Sequence, residues 1–435
     1  MTNLRKNFMA PKKTISTKDS IKFFGIAKNT LEKLGMTNFR DQRTKFKTLE
    51  DVFNSDTGMV NGQCTADCSI KDYKLKKGTA YTMSFSIFIQ GFKNKDQKTK
   101  NKTPFFKPYR QSFNSMFRRY RGQDLSNKRL LVSRFGGLGD LIVVQSTLKA
   151  IKDKFPTCHI TFATNPDFQG LFNCFPKGIV DRVIGIPFET QELNKHDYHL
   201  LFINAIENCI ETQKYNYYDI FQKVVNLDYN VDDYISTLIP IPEIKQELVQ
   251  HLIPKNMIAL HMESTTPLRR YPNELWKVMI DLLHKKGYTV GIINSKDKAG
   301  EVNNLILEMG VDTTKVLNLS LLSPSIEHGI TIFDQAIGAV VIDSTFAHIA
   351  GALRKPAVAI CGPYPAYNVV GRYPTVVGAD KPGIEQQCEK EPCYYNSQVD
   401  QCPYLASGRY PICTSSISPD RIVELLEEQI KKFEK

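Results

Sequence analysis

Residues 129–155 read RLLVSRFGGLGDLIVVQSTLKAIKDKF, and this stretch decides the fold class. The apolar run RLLVSRF has the length and composition of a buried strand. The glycine-rich turn GGLGD breaks it, and a helix-forming segment follows until Pro156, which cannot continue a helix. A strand that passes through a glycine turn directly into a helix is the opening unit of a parallel, doubly wound sheet.

Working outward, CHITFAT (158–164), RVIGIP (182–187) and HLLFINA (199–205) predict further strands. The series then restarts with a strand MIALHME (257–263), a helix PNELWKVMIDLLHKKG (272–287) closed by Gly287, and a strand TVGIINS (289–295). A helix near 297–309, the strand VLNLS, the helix ITIFDQAIGA and the strand VVIDS (340–344) come next. The short helix TFAHIAGALRK and the strand AVAICG (357–362) complete the second series. SPDRIVELLEEQIKKF (418–433) is a helix with a Ser-Pro-Asp start. The pattern predicts two Rossmann-like domains, 126–252 and 253–417, a C-terminal helix at 418–435 and an extension at 1–125.

A chain of 435 residues is longer than one hydrophobic core usually serves. Its 42% hydrophobic and 23% charged residues are ordinary for a soluble globular protein. No apolar run reaches the roughly 18 residues of a membrane span. The opening MTNLRKNFMAPKK lacks the apolar centre of a signal peptide, so a cytoplasmic protein is expected.

The formal charge of +12 is unevenly placed. Residues 1–125 hold 26 Lys and Arg against 10 Asp and Glu, while the remainder holds 31 against 35. This extension, of α+β character, predicts a helix at 19–35, a strand in YTMSFSIFIQGF (81–92) and a polar stretch to residue 104. FFKPYRQSFNSMFRRYRG (105–122) interleaves aromatics with Lys and Arg, a pattern suited to stacking plus phosphate contacts. A basic appendage on a near-neutral core is expected to meet a polyanion, either anionic glycolipid at a membrane face or nucleic acid.

Of the ten cysteines, Cys158, Cys174, Cys209 and Cys361 read as buried small hydrophobes, and Cys64 and Cys68 form a close pair. Cys388, Cys393, Cys402 and Cys413 cluster near the C-terminus, but lack the tight spacing of common zinc sites, so no metal is expected.

Three constellations carry chemistry. In the first, Gly136, Gly137 and Gly139 leave backbone N–H groups pointing at a crevice, suited to an anion. Asp140, where the helix begins, would repel a pyrophosphate, so it reads either as a general base for an acceptor hydroxyl or as a helix cap. The second is HMESTTPLRRYP (261–272), leaving a strand end. Ser264, Thr265 and Thr266 with Arg269 and Arg270 suit a diphosphate and the charge developing on a leaving group. In the third, Asp343 and Ser344 close a strand, and Thr345 opens a helix that carries His348 one turn in.

Together, RFGGLGDLIVVQSTLKAIKDKFP, STTPLRRYPNELW, DSTFAHIAGALRKPAVAICGP and the four-cysteine tail followed by SPDRIVELL resemble glycosyltransferase family 9, the lipopolysaccharide heptosyltransferases and their relatives. The resemblance runs over roughly residues 129–433. It implies an α/β GT-B fold of two facing Rossmann-like domains and an inverting, metal-independent transfer from a nucleotide-diphosphate sugar held mainly by the second domain. Asp140 matches the family's proposed base. Thr265, Thr266, Arg269 and Arg270 fall in its phosphate loop, and Asp343, Ser344, Thr345 and His348 at its donor-binding strand end. The acceptor is expected to be a glycolipid, a polysaccharide or a hydroxylated nucleic-acid base. The resemblance says nothing of residues 1–125, and the acceptor region is the family's most variable part. A nicotinamide-dependent oxidoreductase fits the same architecture less well, because GGLGD is a poor dinucleotide fingerprint. A non-catalytic GT-B-like binding protein is the third reading.

Overall fold

The structure is a computed structural model that describes residues 59–65, 67–70, 73–84, 106–134, 136–202, 211–248, 253–379 and 402–433, with isolated positions between them. They fall into two compact units. The described parts of 1–118, 186–195 and 208–211 make one, and those of 119–185, 196–207 and 212–435 make the other. Residues 186–195 and 208–211 therefore leave the stretch that the sequence pattern assigns to the first Rossmann-like domain.

The larger unit contains two parallel sheets. In the first, the strands run in the order Tyr198–Leu201, Arg129–Ser133, His159–Thr164, Arg182–Gly185. In the second, the order is Val316–Asn318, Thr289–Ile292, Met257–His261, Gly338–Ile342, Ala357–Ile360, Val376–Ala379. Counted along the chain, that is 3-2-1-4-5-6, with its reversal between Met257–His261 and Gly338–Ile342. In an open α/β sheet the crevice beyond the strand ends at such a reversal is where ligands bind. The first sheet reverses likewise between Arg129–Ser133 and Tyr198–Leu201.

Both halves are buried for the reason their sequences announce. Strands covered on both faces read as continuous apolar runs, and all five residues of Met257–His261 and of Gly338–Ile342 are buried. The helix Leu138–Lys154 is buried along most of its length, from Gly139 to Ile151, because helices of both halves pack on it. The C-terminal helix Pro419–Phe433 turns Ile422, Val423, Leu426 and Ile430 into the core of the second sheet. Gly338 gives it room, since a Cβ there would lie 3.0 Å from Ile430.

Two local readings differ. The helix expected in ITIFDQAIGA starts earlier, at Ile326, and ends at Asp334, leaving the apolar residues after it to enter the next strand. RVIGIP is strand only to Gly185. The strand Val376–Ala379 at the sheet edge had no distinct signature, being four residues long.

The smaller unit holds a four-stranded antiparallel sheet in the order Phe106–Pro108, Met59–Cys64, Ala80–Ser84, Phe188–Glu189. Val60, Met83, Phe88 and Phe106 are buried in its core. Of the aromatics expected to stack on a partner, Phe106 and Phe113 here, and Tyr120 in the larger unit, are buried, whereas Tyr109 and Phe117 keep part of their surface. The helix at 19–35 apart from Lys33, the strand beyond Ser84 apart from Phe88, and the polar stretch to 104 lie outside the described residues.

Tight helix–sheet packing depends on small residues. A Cβ on Gly351 would fall 2.2 Å from the ring of Tyr373, itself buried. Gly351→Ala gains about 1 kcal/mol of helix propensity and loses about 1–3 kcal/mol to overpacking. A net loss is expected, read as a lower urea midpoint at unchanged slope. A raised midpoint would show that the ring moves aside freely.

Candidate active site

A cleft of about 630 Å³ lies between the two sheets of the larger unit. On one side it is lined by Gly137, Leu138, Gly139 and Asp140, at the reversal of the first sheet. On the other it is lined by His261, Glu263, Ser264, Thr265 and Arg269, and by Asp343, Ser344, Thr345 and His348, at the reversal of the second. The structure thus brings together most of the residues singled out from the sequence. Gly136, Thr266 and Arg270 are not in the lining. Gly136 lies over Arg134, with an added Cβ 2.5 Å from its guanidinium. Thr266 caps the short helix Pro267–Arg269. Arg270 is exposed to solvent.

Asp140 is not a cap. Gly137 occupies the N-cap position, and the Asp140 carboxylate pairs with Arg134 at 2.5 Å. Its place in the first helical turn suits a negative charge. Across the cleft, Arg269 Nε lies 3.2 Å from Asp343 Oδ2, and Arg269 donates a second bond to the Asp343 carbonyl at 3.1 Å. Burial works against the Arg269 charge, but Asp343, with Tyr217, Tyr364 and Asp140, outweighs it and holds the guanidinium above its ordinary range. Its guanidinium also sits 5.9 Å from the ring of Tyr364.

The two halves meet at His348. A Cβ on Gly139 would lie 2.6 Å from the His348 ring, so only glycine permits the approach. His348 Nδ1 is 3.2 Å from the Tyr373 hydroxyl, and its ring stacks on Tyr217 at 6.2 Å. Burial pushes its pKa down, against the pull of Asp140 and Asp343. A neutral, buried ring of this kind is a wall of the site.

Tyr217 is the residue that sequence reasoning missed. It opens the helix Tyr217–Val225, capped by Asn216, and lines the cleft. Burial raises its phenol well above the usual range, with Tyr364 and Asp343 adding to it. Asn216 and Asn368 fix its position reciprocally. Asn216 donates to the Tyr367 carbonyl at 2.6 Å and Asn368 to the Tyr215 carbonyl at 2.8 Å. A run of tyrosines at a helix start carries no periodic signal, so nothing local marked it. Glu263, within the second constellation but given no role, accepts from Asn294 Nδ2 at 2.8 Å.

The charges partition the cleft. Asp140, Asp167, Glu263 and Asp343 contribute carboxylates, and Arg269 is the guanidinium among the lining residues. Only the Arg269 end, near the hydroxyls and helix start at Ser344 and Thr345, offers an anionic group a compensating charge. Neutral hydroxyl groups suit the carboxylate-lined remainder. Among the described residues no three His, Cys, Asp or Glu side chains are grouped to hold a metal ion. Nor, among them, is any helix long and apolar enough to cross a membrane.

Two sheets facing one cleft across their switch points define the GT-B class of fold. Residues 212–392 match the family described as glycosyltransferase family 9 (heptosyltransferase). Lipopolysaccharide heptosyltransferase 1 of Pseudomonas aeruginosa is 24% identical over 182 residues, 40% of this chain and 48% of that protein. The chain thus spans about half the length of that curated relative. A glycosyl transferase of family 9 from Veillonella parvula superposes with a TM-score of 0.56 at 14% identity, covering 72% of this chain and 100% of its own. The iron-containing dodecameric glycosyltransferase TibC from enterotoxigenic E. coli superposes with a TM-score of 0.51 at 12% identity, covering 86% and 91%. TibC has also been solved, as a heptosyltransferase, in complex with ADP-D-beta-D-heptose. The chain thus resembles glycosyltransferase family 9 over residues 212–392, and its fold is the GT-B fold of these solved structures.

His261 offers a check on this packing. Its ring stacks on Phe346 at 4.3 Å, Nδ1 meets the Ser344 hydroxyl at 3.1 Å, and burial pushes its pKa down to about 3. In the unfolded chain a histidine titrates near about 6.5. Protonation therefore costs nothing above that pH and favours unfolding increasingly as the pH falls towards 3. Between pH 7 and 5 the wild type is expected to lose about 2 kcal/mol more stability than His261→Gln. Equal losses in urea titrations would mean the ring is accessible to protons in the folded state.

Proposed function

We propose that this chain is a glycosyltransferase that moves a sugar of the heptose class from a nucleoside-diphosphate donor to an acceptor hydroxyl, with inversion and without a metal at the reacting centre. The observation that carries this reading is the placement of Asp140 opposite the Arg269–Asp343 pair in one cleft. Asp140 takes the acceptor's hydroxyl proton. The acceptor oxygen then forms its bond to the anomeric carbon while the bond from that carbon to the diphosphate oxygen breaks on the opposite face. The charge left on the diphosphate meets Arg269 and the hydroxyls of Thr265, Ser344 and Thr345. The ADP-heptose complex of TibC supports an adenine nucleotide as donor.

For the acceptor, the positive excess of residues 1–125 favours an anionic glycolipid over a nucleic acid. Stacking needs exposed rings; Phe106, Phe113 and Tyr120 are buried, and Tyr109 and Phe117 are only partly exposed. Charge is therefore the stronger feature to meet the partner.

Two measurements test the reading. ADP-heptose at about a hundredfold excess over its dissociation constant should stabilise the fold by about 2.7 kcal/mol, seen as a raised Tm. GDP- and UDP-sugars should do so less. Asp140→Asn should keep that shift and lose about 10²–10⁴-fold in transfer rate. Undiminished transfer by Asp140→Asn would remove the base, and a shift only with nicotinamide cofactors would remove the activity class.

A further inference from the structure

Arg134 is an unusual residue to find where it is. It follows the strand Arg129–Ser133 directly, is 2% exposed, and does not line the cleft. Yet its guanidinium reaches Asp140 Oδ2 at 2.5 Å, donates to the Phe202 carbonyl and lies 5.9 Å from the Phe221 ring. The asymmetry of the pair is informative: the Asp140 side chain keeps 19% of its surface, so the cation is inside and the carboxylate is at the cleft wall. The glycine-rich turn is wrapped on that cation, since any Cβ at Gly136 would be 2.5 Å from it. The backbone of Arg134 is itself tied down by its N–H to the Ala163 carbonyl at 3.2 Å.

Resting on the reading of Asp140 as the base, we propose that Arg134 is the positioning residue of the site. It clamps one oxygen of the Asp140 carboxylate from below and leaves the other to face the acceptor hydroxyl. A partly exposed carboxylate in the first turn of a helix would otherwise sample several rotamers, and displacements of about 1 Å are costly to reaction rate. The planar fork of arginine holds two acceptors, here Asp140 Oδ2 and the Phe202 carbonyl, in one fixed geometry; a lysine offers a single point charge. An apolar side chain of similar volume would pack without the cost of burying a charge, so it is the charge and its shape that the site uses. Because Arg134 is walled off from the cleft, it acts on the reaction only through Asp140.

The test is a set of variants assayed for transfer from ADP-heptose. Arg134→Ala is expected to lower kcat about 100-fold while the donor KM stays within about threefold, because the donor is held by Arg269 and its neighbours in the other half. Millimolar guanidinium chloride, added as a small cation that fits the vacated space, should restore at least a tenth of the lost rate. On an Asp140→Asn background, Arg134→Ala should cost nothing further. If Arg134→Ala does not fold, shown by the absence of a melting transition, Arg134→Lys keeps the charge without the fork. It should then fold and lose about tenfold in kcat. A folded Arg134→Ala or Arg134→Lys with wild-type kcat overturns the proposal. So does a loss that guanidinium does not relieve and that adds in full to that of Asp140→Asn, the mark of a merely structural role. The base assignment fails separately, if Asp140→Asn alone retains wild-type turnover.

Discussion

The absence of a side chain at residue 139 is the constraint on which the site depends. Both sheets of the larger unit reverse their strand order at a crevice, but two crevices make one cleft only if the elements beside them touch. Gly139 lets the helix Leu138–Lys154 approach His348 to a distance no Cβ would tolerate. Asp140 is the next residue on that helix, so the same contact that joins the halves carries a carboxylate to the edge of the second half. Around it, the Asn216 and Asn368 amides cross between halves, and Arg372 bridges Asp219 and Asp232 at 2.7 Å and 2.9 Å. The two amide bonds satisfy the buried Asn216 and Asn368 side chains, which the contact would otherwise leave unpaired.

Electrostatics then divides the labour of the cleft. A site with four carboxylates is a poor place for a diphosphate, except where a cation offsets them. Arg269 does this at one end, held by Asp343 in a bond to its side chain and another to its carbonyl. At the other end the cation, Arg134, is buried beneath the Asp140 carboxylate and turns that charge outward. The rings of His261, His348, Tyr217 and Tyr364 line the space between.

Much of this was legible in the amino-acid order. Buried parallel strands must be apolar throughout, helices must end at Pro156 and Gly287, and a glycine turn between strand and helix can only be a crevice. The fold class followed from those signals, while the order of the strands did not. So did the grouping of Asp140, Ser264, Thr265, Arg269, Asp343, Ser344, Thr345 and His348, because in a doubly wound sheet all strand ends of one kind face one side. Arg270 and Arg269 could not be told apart in the sequence. Adjacent residues after a short helix point in different directions, and which one faces inward is set by the chain that packs on it.

What only tertiary structure decided has a common physical origin. Tyr217 and the partner of Asp140 depend on contacts between segments far apart in the chain. They leave no periodic trace, since periodicity records one element's exposure and not the identity of its neighbour. The same holds for the strand Phe188–Glu189, which pairs with Ala80–Ser84 although its sequence neighbours belong to a different sheet. The chain by itself determined the fold class and which strand ends would meet at one cleft. The folded molecule decided which charges pair, which rings are buried and which arginine reaches the cleft, because those depend on distances that only packing sets.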